Sequence, residues 1–272
     1  PDQDFLNKFK KQFEEIKKYV SRPIGTFADD LSSYPALFGD NSFVDFVHDL
    51  QLSITGAQVS FSAPLTLNTI VKKGEVNVGT LFKLYRYENL LYTMRLTGEE
   101  IKNYLEFSYK LWFKQMNNSD DHLLLFSTDE NGNIKYDPRN QTPQLKEPFY
   151  NFDCAAGINY TVDVSKPVGS RIFITTMSDG TPFDLDKSYT VAINSYRGNG
   201  GGNHLIAGAG IPKEEITKRI ITSTDKDLRY YAIKWIEKIK VYTPTTTENW
   251  KVIPDEWWQK GKEKDYKIMF AK

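Results

Sequence analysis

The chain has 272 residues, and its 35 Lys and Arg residues balance its 35 Asp and Glu residues. This neutral balance excludes the sequence-wide basic footprint that a nucleic-acid polymer or an anionic membrane surface would attract. No apolar run approaches the roughly 20 residues of a membrane-spanning helix, so we expect no membrane span. The aromatic fraction of 14% is high and supplies side chains for a large core or for stacking surfaces.

The N-terminal stretch PDQDFLNKFK contains neither a signal peptide nor an initiator Met, and we expect a processed end. Residues 3–20 place apolar side chains at three- and four-residue steps, which predicts an amphipathic helix. We interpret this helix as a lead-in or interdomain element that ends in a turn, SRPIGT, at 21–26. The remaining residues, 21–272, are expected to form one domain.

The next segments mix helix and strand patterns. The clearest helix is TGEEIKNYLEFSYKLWF at 97–113. Thr97 and Glu100 have the spacing of a capping box, in which each side chain satisfies a free backbone donor at the helix start. Three further segments precede it: a helical pattern at 42–52 and strand patterns at 58–63 and 90–96.

The second half contains a long polar excursion and then more strands. Residues 114–150 are rich in Asn, Asp, Gly and Pro. Three strands are predicted next: INYTVDV at 158–164, RIFITTM at 171–177 and SYTVAIN at 188–194. Asp179-Gly180 predicts a turn between the last two of them. A final strong helix is predicted at 227–240, and the aromatic tail NWKVIPDEWW is expected to pack down.

Strands and helices alternate here without βαβ regularity, which predicts an α+β fold with mixed sheets and packed helices. Each half of the chain has a strand, a sharp loop and a helix, and this weak similarity between the halves suggests an internal duplication. Neither GxGxxG after a strand nor GxxxxGK[ST] occurs, so nothing in the sequence indicates a dinucleotide or NTPase site.

A glycine-rich loop, SYRGNGGGNHL at 195–205, contains a Gly-Asn-His triplet like the one that serves dinuclear metallophosphoesterases. Such a centre needs several His and Asp ligands at set spacings. The chain has three scattered histidines, His48, His122 and His204, and Leu follows His204 where the catalytic motif carries an acid. We therefore expect no metal centre and no cofactor in this chain.

The single cysteine, Cys154, excludes an internal disulfide and a Cys-based zinc site. Two interpretations are open for it: a catalytic thiol, or a small buried residue between strands. The second is favoured because no histidine lies near Cys154 in the sequence.

Three stretches together resemble one family: 57–106, 150–172 and 189–202. They contain LYRYENLL, LTGEEIKNYLE, NFDxxxGxNYTVDV and NSYRxxGGG, in family order. They resemble the C-terminal domain of the 5′-nucleotidases, and most closely that of the 2′,3′-cyclic-nucleotide 2′-phosphodiesterase/3′-nucleotidase branch. RPIGTFADDLSS also resembles the connector that follows the catalytic domain in such enzymes.

The resemblance implies a division of labour between two domains. An N-terminal metallophosphatase domain carries two divalent metals and performs the hydrolysis, and the C-terminal domain holds the base between two aromatic rings. By residue match these rings are Tyr87 in LYRYEN and Tyr196 in NSYRGN. Stacking of a base on an aromatic ring contributes about 1–3 kcal/mol and tolerates any base.

The resemblance implies roles for further residues near the two rings. Asn89 matches a position that hydrogen-bonds base edges, and Asn68 in PLTLNT is expected on the ribose or phosphate side. For Arg197 two roles stay open, a phosphate contact and a surface ion pair. Gly200 and Gly201 are expected to let the backbone approach the ligand, because they lack Cβ atoms.

The sequence departs from the 5′-nucleotidase branch at two places. SAPLTLNTIV lacks the arginine of that branch's Gly-Gly-x-Arg loop, and Gly202 stands where that branch has Asp. Both departures favour the cyclic-phosphodiesterase branch. The sequence lacks the catalytic domain, so we expect either a fragment or a stand-alone binding domain.

The leading hypothesis is a nucleotide- or nucleoside-recognition domain that is inactive alone. Its partner is an N-terminal metallophosphatase domain, in cis or as a separate chain. The parent protein is expected to be a periplasmic, cell-surface or secreted phosphoric-ester hydrolase of nucleotide catabolism. Two alternatives stay open. One is a stand-alone, non-catalytic nucleoside-binding or partner-docking protein, and the other is an oligosaccharide-binding module.

Overall fold

The structure is a computed structural model that describes residues 3–270, without the side chains of Gln3 and Leu6. The helices are α1 (Gln3–Val20), α2 (Ser42–Thr55), α3 (Val78–Leu84), α4 (Gly98–Trp112), α5 (Ser195–Gly198), α6 (Leu228–Ile239) and α7 (Asp255–Phe270). The strands are β1 (Pro23–Phe27), β2 (Leu31–Ser32), β3 (Val59–Ser62), β4 (Ile70–Val71), β5 (Gly74–Asn77), β6 (Leu91–Thr97), β7 (Cys154–Ala156), β8 (Ile158–Asp163), β9 (Ile172–Met177), β10 (Ser188–Asn194), β11 (Ile220–Ser223), β12 (Val241–Tyr242) and β13 (Trp250–Ile253).

A five-stranded sheet with the order β11-β6-β10-β3-β7 forms the centre of the molecule. β10 runs parallel to β3 and antiparallel to β6, with Val191 opposite Val59 and Met94. All four residues of β3 are buried, as expected of a strand covered on both faces. α2 packs against β3 and β10, and α4 packs against β6 and β7.

Two three-stranded sheets flank the centre. One has the order β12-β1-β5 and carries α6 against β1, and the other has the order β13-β8-β9. A short pair, β2-β4, completes the strands of the described residues. α1 contacts α3, while its apolar side chains Phe13 and Ile16 stay more than half exposed.

The core is rich in stacked rings. Trp112 lies parallel to Tyr109 and to Phe152, with ring centroids 5.2 and 5.5 Å apart, and its indole N–H donates to the Leu37 carbonyl oxygen. Tyr104 stacks on Phe61 of β3 at 4.0 Å. Because these rings are fully buried, they fix α4 against the central sheet.

The predicted α+β class is confirmed, and the strongest sequence patterns are confirmed with it. The helix at 97–113 is α4, and both capping-box bonds form. The backbone N–H of Glu100 donates to Thr97 Oγ1 over 3.1 Å, and the backbone N–H of Thr97 donates to Glu100 Oε2 over 2.8 Å. The predicted strands correspond to β3, β6, β8, β9 and β10. The internal duplication stays a prediction.

One local prediction was wrong, and one predicted turn forms in an unexpected setting. SRPIGT was predicted as a turn, but Pro23–Phe27 forms β1, because β5 and β12 supply partners on both sides. Asp179-Gly180 does form a turn, yet β9 and β10 lie in different sheets. The turn instead folds the chain back onto β9, where the Met177 N–H donates to the Thr181 carbonyl oxygen.

The C-terminal tail and the polar excursion pack on each other. The tail forms β13 and α7, a helix that the sequence analysis missed. Asp265 of α7 accepts the Leu124 N–H over 2.7 Å and lies 2.5 Å from His122 Nδ1. Burial raises the pKa of Asp265 above its usual value. These bonds fix the polar segment 114–150 to α7. Strand pairing within that segment consists of isolated β-bridges.

Cys154 is buried on β7, as the favoured interpretation expected. The structure adds a neighbour that the sequence did not reveal, because His48 Nε2 lies 3.5 Å from Cys154 Sγ. Burial raises the pKa of the thiol well above its usual value and lowers the pKa of His48 to about 3. Both groups are therefore neutral at ordinary pH, which suits a packing role.

In the part of the chain that the structure describes, no helix combines the length and the apolar character needed to cross a bilayer.

We predict that Thr97→Ala lowers the free energy of unfolding by about 1 kcal/mol, because it removes the side chain that caps α4. Urea denaturation followed by circular dichroism measures the change. Thr217→Ala, at an exposed position, serves as the control and should change stability by less than about 0.5 kcal/mol. Equal effects of the two substitutions would contradict the role of the cap.

Candidate functional site

A cavity of about 360 Å³ opens beside the central sheet. Its lining comes from four segments of the chain and comprises Ala63, Leu65, Tyr87, Asn89, Tyr150, Asn194, Tyr196 and Arg197. Two of these segments lie at the carboxyl ends of β3 and β10, which are adjacent parallel strands. Because the carboxyl ends of parallel neighbours meet at one edge of a sheet, residues distant in sequence converge there.

Three tyrosines surround the cavity. Tyr196 is 48% exposed and Tyr150 is 40% exposed, whereas Tyr87 is half-buried. The rings of Tyr87 and Tyr150 meet edge to face, with centroids 6.5 Å apart and planes at 69°. The sequence analysis brought Tyr87 and Tyr196 together correctly but missed Tyr150. The sequence feature that pointed to Tyr150 was its position at the start of YNFD, in a stretch that resembles the family.

Hydrogen bonds join the loop that carries Tyr196 to the loop that carries Asn89. The Ser195 N–H donates to the Leu90 carbonyl oxygen over 2.8 Å, and the Leu90 N–H donates to Ser195 Oγ over 3.1 Å. Asn194 Oδ1 accepts the Arg197 N–H and caps the short helix α5. These bonds set the distance between the two loops.

The glycine-rich loop supports the Tyr196 ring from behind. A Cβ on Gly201 would lie 2.6 Å from Tyr196 Cε2, so only glycine lets the backbone meet the ring this closely. Gly200 adopts φ +91°, a conformation that favours glycine. Neither residue lines the cavity. In the structure this backbone supports the ring, and its predicted approach to a ligand stays a prediction.

Arg197 forms a buried ion pair, which corrects the surface ion pair that the sequence left open as one of its two roles; the phosphate contact stays a prediction. Its side chain is 1% exposed, and its Nε lies 3.0 Å from Asp153 Oδ2. Its Nη2 donates to Asp153 Oδ1 and, over 2.7 Å, to the Tyr150 carbonyl oxygen, while Nη1 donates to the Gly201 carbonyl oxygen. Protein acceptors thus occupy both Nη groups and Nε, which makes Arg197 a positioning residue rather than a surface ion.

The charges of this cluster stabilise one another. Burial works to raise the pKa of Asp153, but the nearby Arg197, His204 and Tyr104 hold it below its usual value. Burial works to lower the pKa of Arg197, and Asp153 more than compensates and raises it. The Tyr104 hydroxyl donates to Asp153 Oδ2 from α4. An ionised pair is therefore kept inside the protein.

His204 joins the same cluster. Its Nδ1 lies 3.0 Å from the Gly202 carbonyl oxygen and its Nε2 lies 2.9 Å from the Asn151 carbonyl oxygen. Burial lowers the pKa of His204 to about 4. Within residues 3–270 no three His, Cys, Asp or Glu side chains are placed to hold a metal ion.

The two asparagines of the prediction occupy different places. Asn89 lines the cavity, and its Nδ2 donates to the Tyr85 hydroxyl over 3.3 Å. Asn68 adopts φ +58° and lines a neighbouring, larger cavity instead. The structure adds Asn194, whose amide the sequence analysis did not consider.

Comparison with protein-family models gives a match to "5'-nucleotidase, C-terminal domain" over residues 23–208. This range includes every cavity residue and covers more than half of the chain. The chain belongs to the 5′-nucleotidase C-terminal domain family.

Curated relatives of this 5′-nucleotidase C-terminal domain are longer proteins. A 2′,3′-cyclic-nucleotide 2′-phosphodiesterase/3′-nucleotidase of Haemophilus influenzae is 27% identical over 93% of this chain and 40% of its own length. The trifunctional nucleotide phosphoesterase protein YfkN of Bacillus subtilis is 26% identical over 91% of this chain and 17% of its own length. The chain thus spans two fifths or less of these two relatives.

Solved structures share the fold of this domain. A putative 5′-nucleotidase from Staphylococcus aureus matches with a TM-score of 0.68 and 21% identity, over 93% of this chain and 44% of that one. A 5′-nucleotidase precursor from Thermus thermophilus matches with a TM-score of 0.66 and 18% identity, over 94% and 44%. At such identities the likeness concerns the fold alone.

We predict that Arg197→Met lowers the free energy of unfolding by about 3–5 kcal/mol, because it leaves the Asp153 carboxylate buried without its partner. Arg139→Met is the matched control. It breaks the exposed pair with Asp137 and should cost less than about 1 kcal/mol. Chemical denaturation of both variants measures the difference, and similar losses would show that burial of the Arg197 pair is unimportant.

Proposed function

We propose that this domain recognises a nucleotide or nucleoside by holding its base between Tyr87 and Tyr196. The observation that supports the proposal most strongly is their convergence on one cavity from segments 109 residues apart. The Tyr87 ring is half-buried, and the Tyr196 ring is 48% exposed and packs against the backbone of Gly201. A base that enters between them gains stacking on both faces, worth about 1–3 kcal/mol per ring.

Two amides supply the polar contacts that orient the base. Asn89 uses Nδ2 to donate to Tyr85, so its Oδ1 is the acceptor available to the cavity. Asn194 uses Oδ1 to accept from Arg197, so its Nδ2 is the available donor. Base edges present donors and acceptors side by side, and this pair complements them. Ala63 and Leu65 provide the apolar floor.

We further propose that hydrolysis takes place on a separate metallophosphatase domain with two divalent metals. The longer curated relatives, named as phosphodiesterase/nucleotidases, support this division. α1 would then lead in from that domain, and residues 21–272 would form the recognition unit. The parent protein would be a phosphoric-ester hydrolase of nucleotide catabolism in the periplasm or at the cell surface.

We predict that Tyr196→Ala weakens adenosine binding by about five- to 150-fold, because one stacking face is lost. Titration followed by intrinsic fluorescence measures the affinity. Tyr230→Ala is the control, since Tyr230 is similarly exposed on α6 but does not line the cavity. An unchanged affinity for Tyr196→Ala, with its circular dichroism intact, would remove that ring from the site.

We also predict that the purified chain does not hydrolyse 2′,3′-cyclic adenosine monophosphate with added Mn²⁺, while it still binds adenosine. Release of the 3′-nucleotide is followed by chromatography. Turnover that persists through repeated purification and disappears in Tyr196→Ala would show that this chain itself is the catalyst.

A further inference from the structure

A cavity of about 650 Å³ lies on the polar segment 114–150 and shares no lining residue with the cavity of the proposed base site. Isolated β-bridges join Phe126 to Leu145 and Thr128 to Ile134, so the segment folds back on itself and forms a concave surface. The volume lies within the range of about 300–1,000 Å³ that is usual for small-molecule sites. The segment therefore offers a second place for a small ligand.

The ionisable groups that line this cavity are all basic. They are three lysines and one histidine, Lys114, Lys135, Lys146 and His122, and the lining contains no Asp or Glu. Lys114 forms an ion pair with Asp121 over 2.8 Å. Among residues 3–270, no carboxylate lies within 4.0 Å of the ammonium group of Lys135 or Lys146. Two ammonium groups at the cavity are therefore without an ion-pair partner in this part of the chain.

A buried carboxylate on α7 fixes the imidazole of His122 at the same cavity. The Asp265 side chain is fully buried, and its Oδ1 lies 2.5 Å from His122 Nδ1. The imidazole also meets the Phe126 ring edge to face, with ring centroids 5.4 Å apart. Because Nδ1 is engaged by Asp265, Nε2 is the ring nitrogen available to a ligand. When the ring is protonated, Nε2 carries a hydrogen-bond donor for an anion.

We propose that this cavity binds a small polyanion, whose charged groups are phosphoryl or carboxylate groups, at a site separate from the base. Lysine ammonium groups attract such groups as point charges and need no planar, bidentate geometry. The ligand needs no nucleoside, because Phe126, the aromatic ring besides His122 in the lining, is buried against that imidazole. The inference does not depend on the proposed function, because the two linings have no residue in common.

Calorimetric titration with inorganic tripolyphosphate and with citrate, at about 50 mM NaCl, tests the inference. Wild type should bind at least one of the two saturably, at one ligand per chain. Lys135→Gln and Lys146→Gln should each weaken this binding about threefold, and the double variant about tenfold, because each removes a positive charge. Lys226→Gln, at an exposed position outside both linings, is the matched control and should leave the affinity unchanged.

A second variant blocks the space rather than the charge. Thr128→Trp places a large side chain at an exposed position of the lining and should weaken polyanion binding more than about tenfold. None of these variants should change the affinity for adenosine. Tighter binding of tripolyphosphate would support the site and identify phosphoryl groups as its target, and tighter binding of citrate would support it and identify carboxylates.

Three results would overturn the polyanion site. They are no saturable binding of either anion to wild type, equal losses for Lys226→Gln and the two lining lysine variants, and displacement of the bound anion by adenosine. Each would leave the proposed base site standing. Failure of wild type to bind adenosine would instead overturn the proposed function and leave the polyanion site standing.

Discussion

The side chains of Arg197 and Asp153 form an ion pair inside the protein, and the geometry of the site depends on it. The guanidinium also holds the Tyr150 and Gly201 carbonyl oxygens, so one side chain connects two of the loops around the cavity. A buried charge pair is tolerated only when its remaining hydrogen bonds are satisfied. Here the Tyr104 hydroxyl and the two carbonyl oxygens satisfy them. The same bonds that stabilise the pair therefore position the rings.

The central sheet explains why these loops meet. β3 and β10 are parallel neighbours, and both are buried within the core. Their carboxyl ends deliver the apolar floor and the Asn194–Tyr196 segment to one edge. The glycine run after Tyr196 then supports a ring that an adjacent side chain would displace. The central sheet and the glycine-rich loop thus combine to hold the Tyr196 ring, which is 48% exposed, at the cavity.

Patterns that depend on neighbouring residues were predictable from the sequence. The capping box of α4 specifies structure locally, and the motifs around Tyr87 and Tyr196 marked two walls of the cavity. β1 was missed because its pairing partners, not its Pro-Ile-Gly sequence, make it a strand. The role of Arg197 depends on Asp153, 44 residues away, and Cys154 meets a histidine 106 residues away. Such contacts arise only from the tertiary fold.

The central claim is that a base lies between the rings of Tyr87 and Tyr196. A crystal structure of the chain with adenosine 3′-monophosphate tests it most directly. The account predicts density for the purine between these two rings, with Asn89 and Asn194 at its edge. Density for the purine anywhere else, or a purine in the cavity that stacks on neither ring, would contradict the account.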